Sequence, residues 1–166
     1  MKKIINIKKQ AGFNLIEVLL AFLILSIGLL GVAGLQTTAV KASHTAMLKT
    51  IAITKVQEII ERIRANPVAG IDAYDLPRTT LGTDNGCDTR DTNVLAVQCT
   101  PFNLARNDLF VWKNSLVNAG LPNSMDTDAS IVIDDTVVPA IATITVYWKE
   151  RGVEMSYFSK IQQLPQ

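Results

Sequence analysis

The sequence has little of the chemistry that catalytic and metal-binding sites use. Its 166 residues include two cysteines, Cys87 and Cys99, and one histidine, His44. These three residues do not match the close four-ligand spacing of a structural zinc site. No nucleotide-binding loop or nucleophile motif occurs either. We therefore expect no metal, no cofactor and no enzymatic activity.

The chain also lacks the strong positive charge that is typical of nucleic-acid-binding proteins. It has 16 basic and 15 acidic residues, but four of its lysines lie in Met1–Gly12, which contains no acid. The rest of the chain holds 12 basic and 15 acidic residues, a formal charge of −3. A slightly acidic body gives little attraction to phosphates, so we expect no nucleic acid partner.

Charge is absent from one long segment near the N-terminus. Val18 to Val40 contains no charged residue over 23 positions, enough for about 34 Å of helix and for one bilayer crossing. Lysines precede this run, and Lys41 alone follows it. The asymmetry predicts a single-pass segment with its N-terminus in the cytoplasm.

Three interpretations of this segment compete. A secretory signal has a shorter apolar core followed by a cleavage site, for which Val40-Lys41-Ala42 is the one candidate. An uncleaved anchor explains the length and the lysines. Neither explains Glu17, because a carboxylate inside an apolar block costs about 2.5–3.5 kcal/mol where it lies deep. Without a partner, Glu17 would have to reach the cytoplasmic headgroups.

Cleavage between Gly12 and Phe13 would give Glu17 a partner. It would remove the basic leader and leave a new amine on Phe13, four residues before Glu17 and on the same helix face. A carboxylate in the first turn also suits the helix dipole. The amine and the carboxylate, each costly to bury alone, could pair within one chain or between neighbouring subunits.

Gly12-Phe13-Asn14-Leu15-Ile16-Glu17, followed by the apolar run, resembles the prepilin signature of type IV pilins and type II secretion pseudopilins. The resemblance implies cleavage after Gly12 by a prepilin peptidase, N-methylation of Phe13, and pairing of Glu17 with a neighbour's amine. Asn14 departs from the usual Thr or Ser but is also short and polar.

The stretch Ser26–Gln36 resembles PilV-type minor pilins more than the major subunit. Major pilins commonly carry a proline in this region, whereas this chain has none before Pro67. This similarity implies a minor pilin that initiates the pilus and lies in its tip complex. The implied partners are other minor pilins, the major pilin, the inner-membrane assembly platform, membrane lipid and a tip adhesin. A type II secretion minor pseudopilin and a DNA-uptake pilin are the alternatives. The implied location is the inner membrane, then the extracellular pilus.

Three glycines, Gly28, Gly31 and Gly34, recur within the apolar run. Each costs about 1 kcal/mol relative to alanine in a helix interior. Their spacing places them near one stripe, where they could permit close helix packing or local loosening of the helix. The alternative is the general frequency of glycine in membrane helices.

The sequence predicts an α+β protein, and the resemblance implies that it has the type IV pilin fold. A leader, 1–12, precedes a long helix, 13–65, whose segment at about 15–40 is transmembrane. An apolar stripe along its second half, ended by Asn66-Pro67, predicts packing on an antiparallel sheet in a head at 66–166. Within the head we expect a helix at 108–119, capped by Asp108, and three C-terminal strands.

Cys87 and Cys99 lie in a turn-rich part of this head. In an exported chain an even cysteine count favours a disulfide, whereas a cytosolic domain would keep two reduced thiols. Closing a loop of this size would stabilise the fold by about 3 kcal/mol. Aspartates in the same region suggest calcium, but their spacing is not that of an EF-hand, and turn formation is the favoured use.

Overall fold

The computed structural model describes residues 12, 14–87, 99–122 and 128–162. The chain forms two compact units, Met1–Ser43 and His44–Gln166. Helix α1, Leu15–Ala65, contributes to both. It contains no proline over 51 residues. It ends before Asn66 and Pro67, because the ring of Pro67 disfavours helical backbone at the residue before it.

In the first unit, α1 has no buried side chain among the described residues. One window of this helix has a mean hydropathy of 2.7 and is 0% buried. By length and composition it is the one helix in the described part of the chain that could cross a membrane. A helix that is apolar on all sides needs an apolar surrounding, which a bilayer or packed neighbouring helices supply.

In the second unit, α1 buries one stripe against the rest of the head. The spacing of these residues is helical, as the sequence predicted. The buried positions are Leu48, Ala52, Val56, Ile59, Ile60 and Ile63.

The sheet has three antiparallel strands in the order β1-β2-β3, which confirms the predicted α+β class. The strands are β1 Ala129–Asp134, β2 Ile141–Glu150 and β3 Val153–Gln162. Arg151 and Gly152 join β2 to β3 with φ values of 53° and 83°. Two positive φ angles in a two-residue loop match the twist of paired strands.

One face of the sheet belongs to the core. Alternate residues of β2 are buried, as the predicted alternation requires: Ala142, Ile144, Val146 and Trp148. Ile131 of β1 lies opposite Ile144 in the register and is also buried. Strand β3 lies at the edge and is mostly exposed, with Val153 61% exposed.

Helix α2 is longer than the sequence predicted. It spans Pro101–Val117, whereas the expected helix began at Asp108. Thr100 is the N-cap, its side chain accepts a hydrogen bond from the Asn103 amide, and Pro101 occupies the first turn. Proline suits that position because its fixed φ is already helical and the first amides need no helical partner. Asp108 is therefore not a cap but lies in the middle of the helix.

The chain between α1 and α2 contains two short 3₁₀ helices, Pro67–Ala69 and Ile71–Tyr74. Leu76 then forms an antiparallel bridge with Ile131 of β1, so this segment covers part of that edge of the sheet. Both helices, the 3₁₀ turns and the sheet contribute to one hydrophobic core.

Candidate functional site

Glu17 lies in the first turn of α1. Its backbone amide donates to the Asn14 carbonyl over 3.0 Å, which makes it part of the helix start. Its side chain is exposed and forms no hydrogen bond or ion pair that involves the described residues. Gly12 is exposed, while Phe13 and the leader before Gly12 lie outside the described residues. The predicted pairing of Glu17 with the Phe13 amine therefore stays a prediction.

A shallow groove of about 380 Å³ lies beside Glu17. Its other lining residues are apolar and recur at helical spacing: Val18, Ala21, Phe22 and Leu25. One carboxylate at the end of an apolar groove provides a contact for an apolar helix that carries a positive group.

Gly28, Gly31 and Gly34 all lie within continuous α-helix. A Cβ placed on any of them meets no other atom within 4 Å. Among the described residues nothing packs closely on this stripe, so its role in helix packing or loosening remains a prediction.

Hydroxyl groups near these glycines bond back to the helix. Ser26 donates to the Phe22 carbonyl at 2.7 Å, and Thr37 donates to the Gly34 carbonyl at 2.8 Å. Polar side chains satisfied within their own helix are compatible with an apolar surrounding. The sequence analysis assigned no role to these hydroxyl groups, although their positions in the apolar run can be recognised from the sequence.

Cys87 and Cys99 form a disulfide in the head, with their Cα atoms 6.0 Å apart. The start of this loop is also held on α2. The Asn107 side-chain oxygen accepts hydrogen bonds from the amides of Asn85 and Cys87, at 3.0 and 3.3 Å. The predicted calcium alternative receives no support within the described ranges, where no group of three or more acidic, histidine or cysteine residues could hold a metal ion.

A polar cluster joins α1 to α2 across the head. Arg62 donates to Asp108 at 2.9 Å and to Glu58 at 3.2 Å. Tyr74 donates to the other oxygen of Asp108 at 3.2 Å. Burial, together with the neighbouring Asp108 carboxylate, raises the pKa of Tyr74, so the hydroxyl stays protonated as a donor.

Glu58 is the second carboxylate of this cluster. Burial alone would raise its pKa, but hydrogen bonds and charge from Lys55 and Arg62 bring the pKa below its ordinary value. The cluster is built from oppositely charged groups that satisfy one another. It therefore has the character of a structural clamp rather than of an acid–base site.

Lys113 of α2 is fully buried, which the sequence did not indicate. Its amine donates to the backbone carbonyls of Pro77, Arg78 and Thr80, with the Arg78 bond at 2.8 Å. These carbonyls come from a turn more than thirty positions earlier in the chain. A buried ammonium is tolerable where several acceptors surround it, so Lys113 fixes this turn onto α2.

A second groove, of about 530 Å³, lies where α1 ends and next to the end of β3. Ile63, Ile71 and Ile161 are among its apolar lining residues, and Arg64 and Lys160 are its cations. His44 is exposed and belongs to neither groove.

Two family models match the chain. The model of the prokaryotic N-terminal methylation motif covers residues 7–33, and the model of type IV pilin Tt1218 covers residues 34–110. The chain is a type IV pilin-like protein. No curated protein and no solved structure matches it.

The methylation motif implies that this pilin-like protein is processed by a prepilin peptidase and assembled as a pilin. Together with the apolar N-terminal helix it supports a membrane-anchored pilin. The family is a structural one. The long helix with a three-stranded antiparallel sheet is the corresponding architecture.

Proposed function

We propose that this pilin-like protein is a minor pilin of the PilV type, which helps to start a type IV pilus and lies in its tip complex. The observation that carries the proposal is Glu17, an exposed carboxylate at the start of an apolar helix with no partner among the described residues. The match to the methylation motif spans this residue. A carboxylate in an apolar environment requires a cation, and none lies within reach on the described part of the helix.

In this proposal the prepilin peptidase cleaves between Gly12 and Phe13, and Phe13 is then N-methylated. The charged amine pairs with Glu17 of its own chain or of a neighbour and thereby fixes the register of packed helices. The groove beside Glu17 receives the apolar part of the incoming helix. Apolar side chains then exchange lipid contacts for contacts with other subunits, at little cost in hydrophobic free energy.

The glycine stripe Gly28, Gly31 and Gly34 allows the helix to pack closely or to loosen when it enters the fibre. Before assembly the protein lies in the inner membrane with its N-terminus in the cytoplasm and its head outside. Its partners are the assembly platform, other minor pilins, the major pilin and a tip adhesin. It acts as a subunit, with no catalytic role and no nucleic acid ligand.

The test replaces Glu17 and follows the protein from membrane to pilus. Glu17→Ala should leave membrane insertion and leader cleavage intact but lower incorporation into sheared pili at least tenfold. We expect the lost pair with the amine to contribute at least about 1.4 kcal/mol to assembly, and this free energy corresponds to a factor of ten. Ser26→Ala is the matched control in the same helix, because it removes a hydroxyl bonded only within its own helix.

Incorporation of Glu17→Ala at the wild-type level would contradict the register role. Mass spectrometry of the mature protein should identify methylated Phe13 as its first residue. A start at Ser43 would instead indicate an ordinary signal peptide, and retention of Met1 a plain anchor. Deletion of the protein should reduce the number of pili and leave type II secretion unchanged; the reverse result would identify a pseudopilin.

A further inference from the structure

The tip of the β2–β3 hairpin is tied to the first turn of α1 within the head. The Thr45 hydroxyl donates to the Glu150 carboxylate over 2.5 Å. Thr45 and Lys49 are four residues apart and therefore share a helix face. Glu150, at the hairpin tip, is thus held next to that face, while Lys149 points to the opposite side of the sheet and Arg151 lies in the turn.

This end of the head exposes cations and apolar side chains together. Lys49, Lys149 and Arg151 are exposed. Val153 and Met155 follow in β3 and are 61% and 38% exposed. A surface that combines lysine or arginine with exposed apolar residues is typical of contacts with the headgroup layer of a bilayer.

The acidic groups near the tip that belong to the described residues are already engaged. Glu150 accepts from Thr45, and both oxygens of Glu154 accept from Arg78, at 3.3 and 2.9 Å. Arg78 also pairs with Asp128 at 3.2 Å, which places its charge between two carboxylates. Lys149 lies opposite Glu154 in the register and also favours its charged form. Within the described part of the chain, Lys49 and Arg151 are therefore the cations of the tip that are paired with no carboxylate.

The position of Thr45 in the chain brings this surface near a membrane. The uncharged run ends at Val40, and Thr45 follows five residues later. Five residues span at most about 18 Å even when fully extended. Each headgroup layer is about 5–8 Å thick, since the full bilayer is about 40–45 Å and its apolar core about 30 Å. A hairpin tip bonded to Thr45 therefore comes within reach of lipid phosphates.

We propose that the hairpin tip, formed by Lys49, Lys149, Arg151 and Val153, is a docking surface for the anionic phospholipid headgroups of the bilayer that holds α1. The inference rests on the membrane anchoring of the pilin. Lysine and arginine bind phosphate, and Val153 enters the boundary between headgroups and acyl chains. The contact keeps the head on the membrane surface until the subunit leaves the bilayer.

The test uses the full chain in nanodiscs, made either of phosphatidylcholine alone or of phosphatidylcholine with phosphatidylglycerol. A neutral amine-acylating reagent is applied, and mass spectrometry measures the acylation rate of each lysine. Lys49 and Lys149 should react about fivefold more slowly in the anionic bilayer, and high salt should remove the difference. Lys160 is the internal control, because it is exposed near the opposite end of β3 and should react equally in both bilayers.

Charge reversal at the tip provides the second arm. Arg151→Glu should return the Lys149 rate in anionic nanodiscs to within about twofold of the rate in phosphatidylcholine. Arg64→Glu, at the other end of the head portion of α1, should leave the protection of Lys149 unchanged.

Equal Lys149 rates in the two bilayers would overturn the docking surface while leaving the anchor intact. Equal slowing of Lys160 would overturn it as well, since the effect would then not belong to the tip. Protection that is the same in both lipids and grows with protein density would identify an acidic protein surface as the occupant instead. Failure of the chain to enter nanodiscs would overturn the anchor and this inference together.

Discussion

The two tryptophans of the head differ in one hydrogen bond. Trp112 of α2 is fully buried, and its indole nitrogen donates to the Lys55 carbonyl of α1 at 2.7 Å. Trp148 of β2 is 3% exposed, and its indole nitrogen has no partner among the described residues. Two side chains of equal size thus fill the same core, but only the indole nitrogen of Trp112 donates a hydrogen bond to a described residue.

Replacing each tryptophan by phenylalanine should separate packing from hydrogen bonding. Trp112→Phe should lower the free energy of unfolding by about 1 kcal/mol more than Trp148→Phe, because only the first loses a hydrogen bond. Urea unfolding of the full chain in detergent, followed by circular dichroism, measures both. Equal losses would show that the Lys55 bond contributes nothing net.

Position 82 requires a glycine because its backbone packs closely against α2. Its φ is +85°, and a Cβ there would lie 2.7 Å from the Phe110 amide nitrogen. Gly86 has a φ of +64°, and no described residue outside its immediate chain neighbours would lie within 4 Å of a Cβ there, which makes it the matched control. Both substitutions place alanine at a positive φ, which is unfavourable in each case. Gly82→Ala also brings a Cβ too close to α2, so the turn has to move away from the helix.

Gly82→Ala should therefore destabilise the head by about 1–3 kcal/mol more than Gly86→Ala in the same urea assay. A Gly82→Ala protein as stable as Gly86→Ala would mean that the turn moves away from α2 at no cost.

At the scale of elements, α1 and α2 are joined by charges as well as by the core. Glu58 pairs with Lys55 at 2.9 Å on the same helix and with Arg62 at 3.2 Å. Arg62 continues the cluster to Asp108 in α2. The ionised state of Glu58 is therefore coupled to the contact between the two helices.

This coupling predicts a pH dependence. The pKa of Glu58 is lower in the folded head than its ordinary value of 4.5. Its contribution to stability is therefore fully present above that value and is lost as the pH falls through the folded-state pKa. The stability difference between wild type and Glu58→Gln should be constant near neutral pH and shrink below pH 4.5.

Urea unfolding at a series of pH values measures this difference. Glu61→Gln is the control, because Glu61 is exposed and its one ion pair with a described residue is the surface pair with Arg64. A difference for Glu58→Gln that stays constant through the acidic range would contradict the role of the cluster.

At the scale of the whole molecule, α1 belongs to two units with different surroundings. Up to Ser43 its described side chains are exposed and mostly apolar, and from His44 onward one stripe is buried in the head. The head also contains one covalent cross-link, the Cys87–Cys99 disulfide, whose second cysteine comes just before α2.

Removing that disulfide should lower the free energy of unfolding of the head without affecting the membrane helix. The double variant Cys87→Ser, Cys99→Ser should lower the unfolding free energy by about 3 kcal/mol, the loop-closure value for a ring of this size. Reduction of the wild type should reproduce the loss, and the double variant should not respond to reductant. An unchanged urea midpoint would show that the Asn107 hydrogen bonds hold the loop alone.

Regular elements with a clear period could be predicted from the sequence. The apolar run and Asn66-Pro67 determine where α1 extends, and the C-terminal sequence pattern predicts the strands that form β2 and β3. The start of α2 was missed because Pro101 is equally compatible with a turn and with the first turn of a helix. Only the Thr100 cap, seen in the folded chain, distinguishes these two uses.

The sequence by itself determined the anchor, the motif at Gly12 to Glu17 and the strand pattern, because each depends on residues that are neighbours in the chain. The tertiary structure alone decided that Lys113 is buried, that Asp108 pairs with Arg62, and that the hairpin tip lies beside Thr45. The partners in these contacts are separated by 33 to 105 positions. Hydrogen-bond partners of that kind are selected by packing, which no local period encodes.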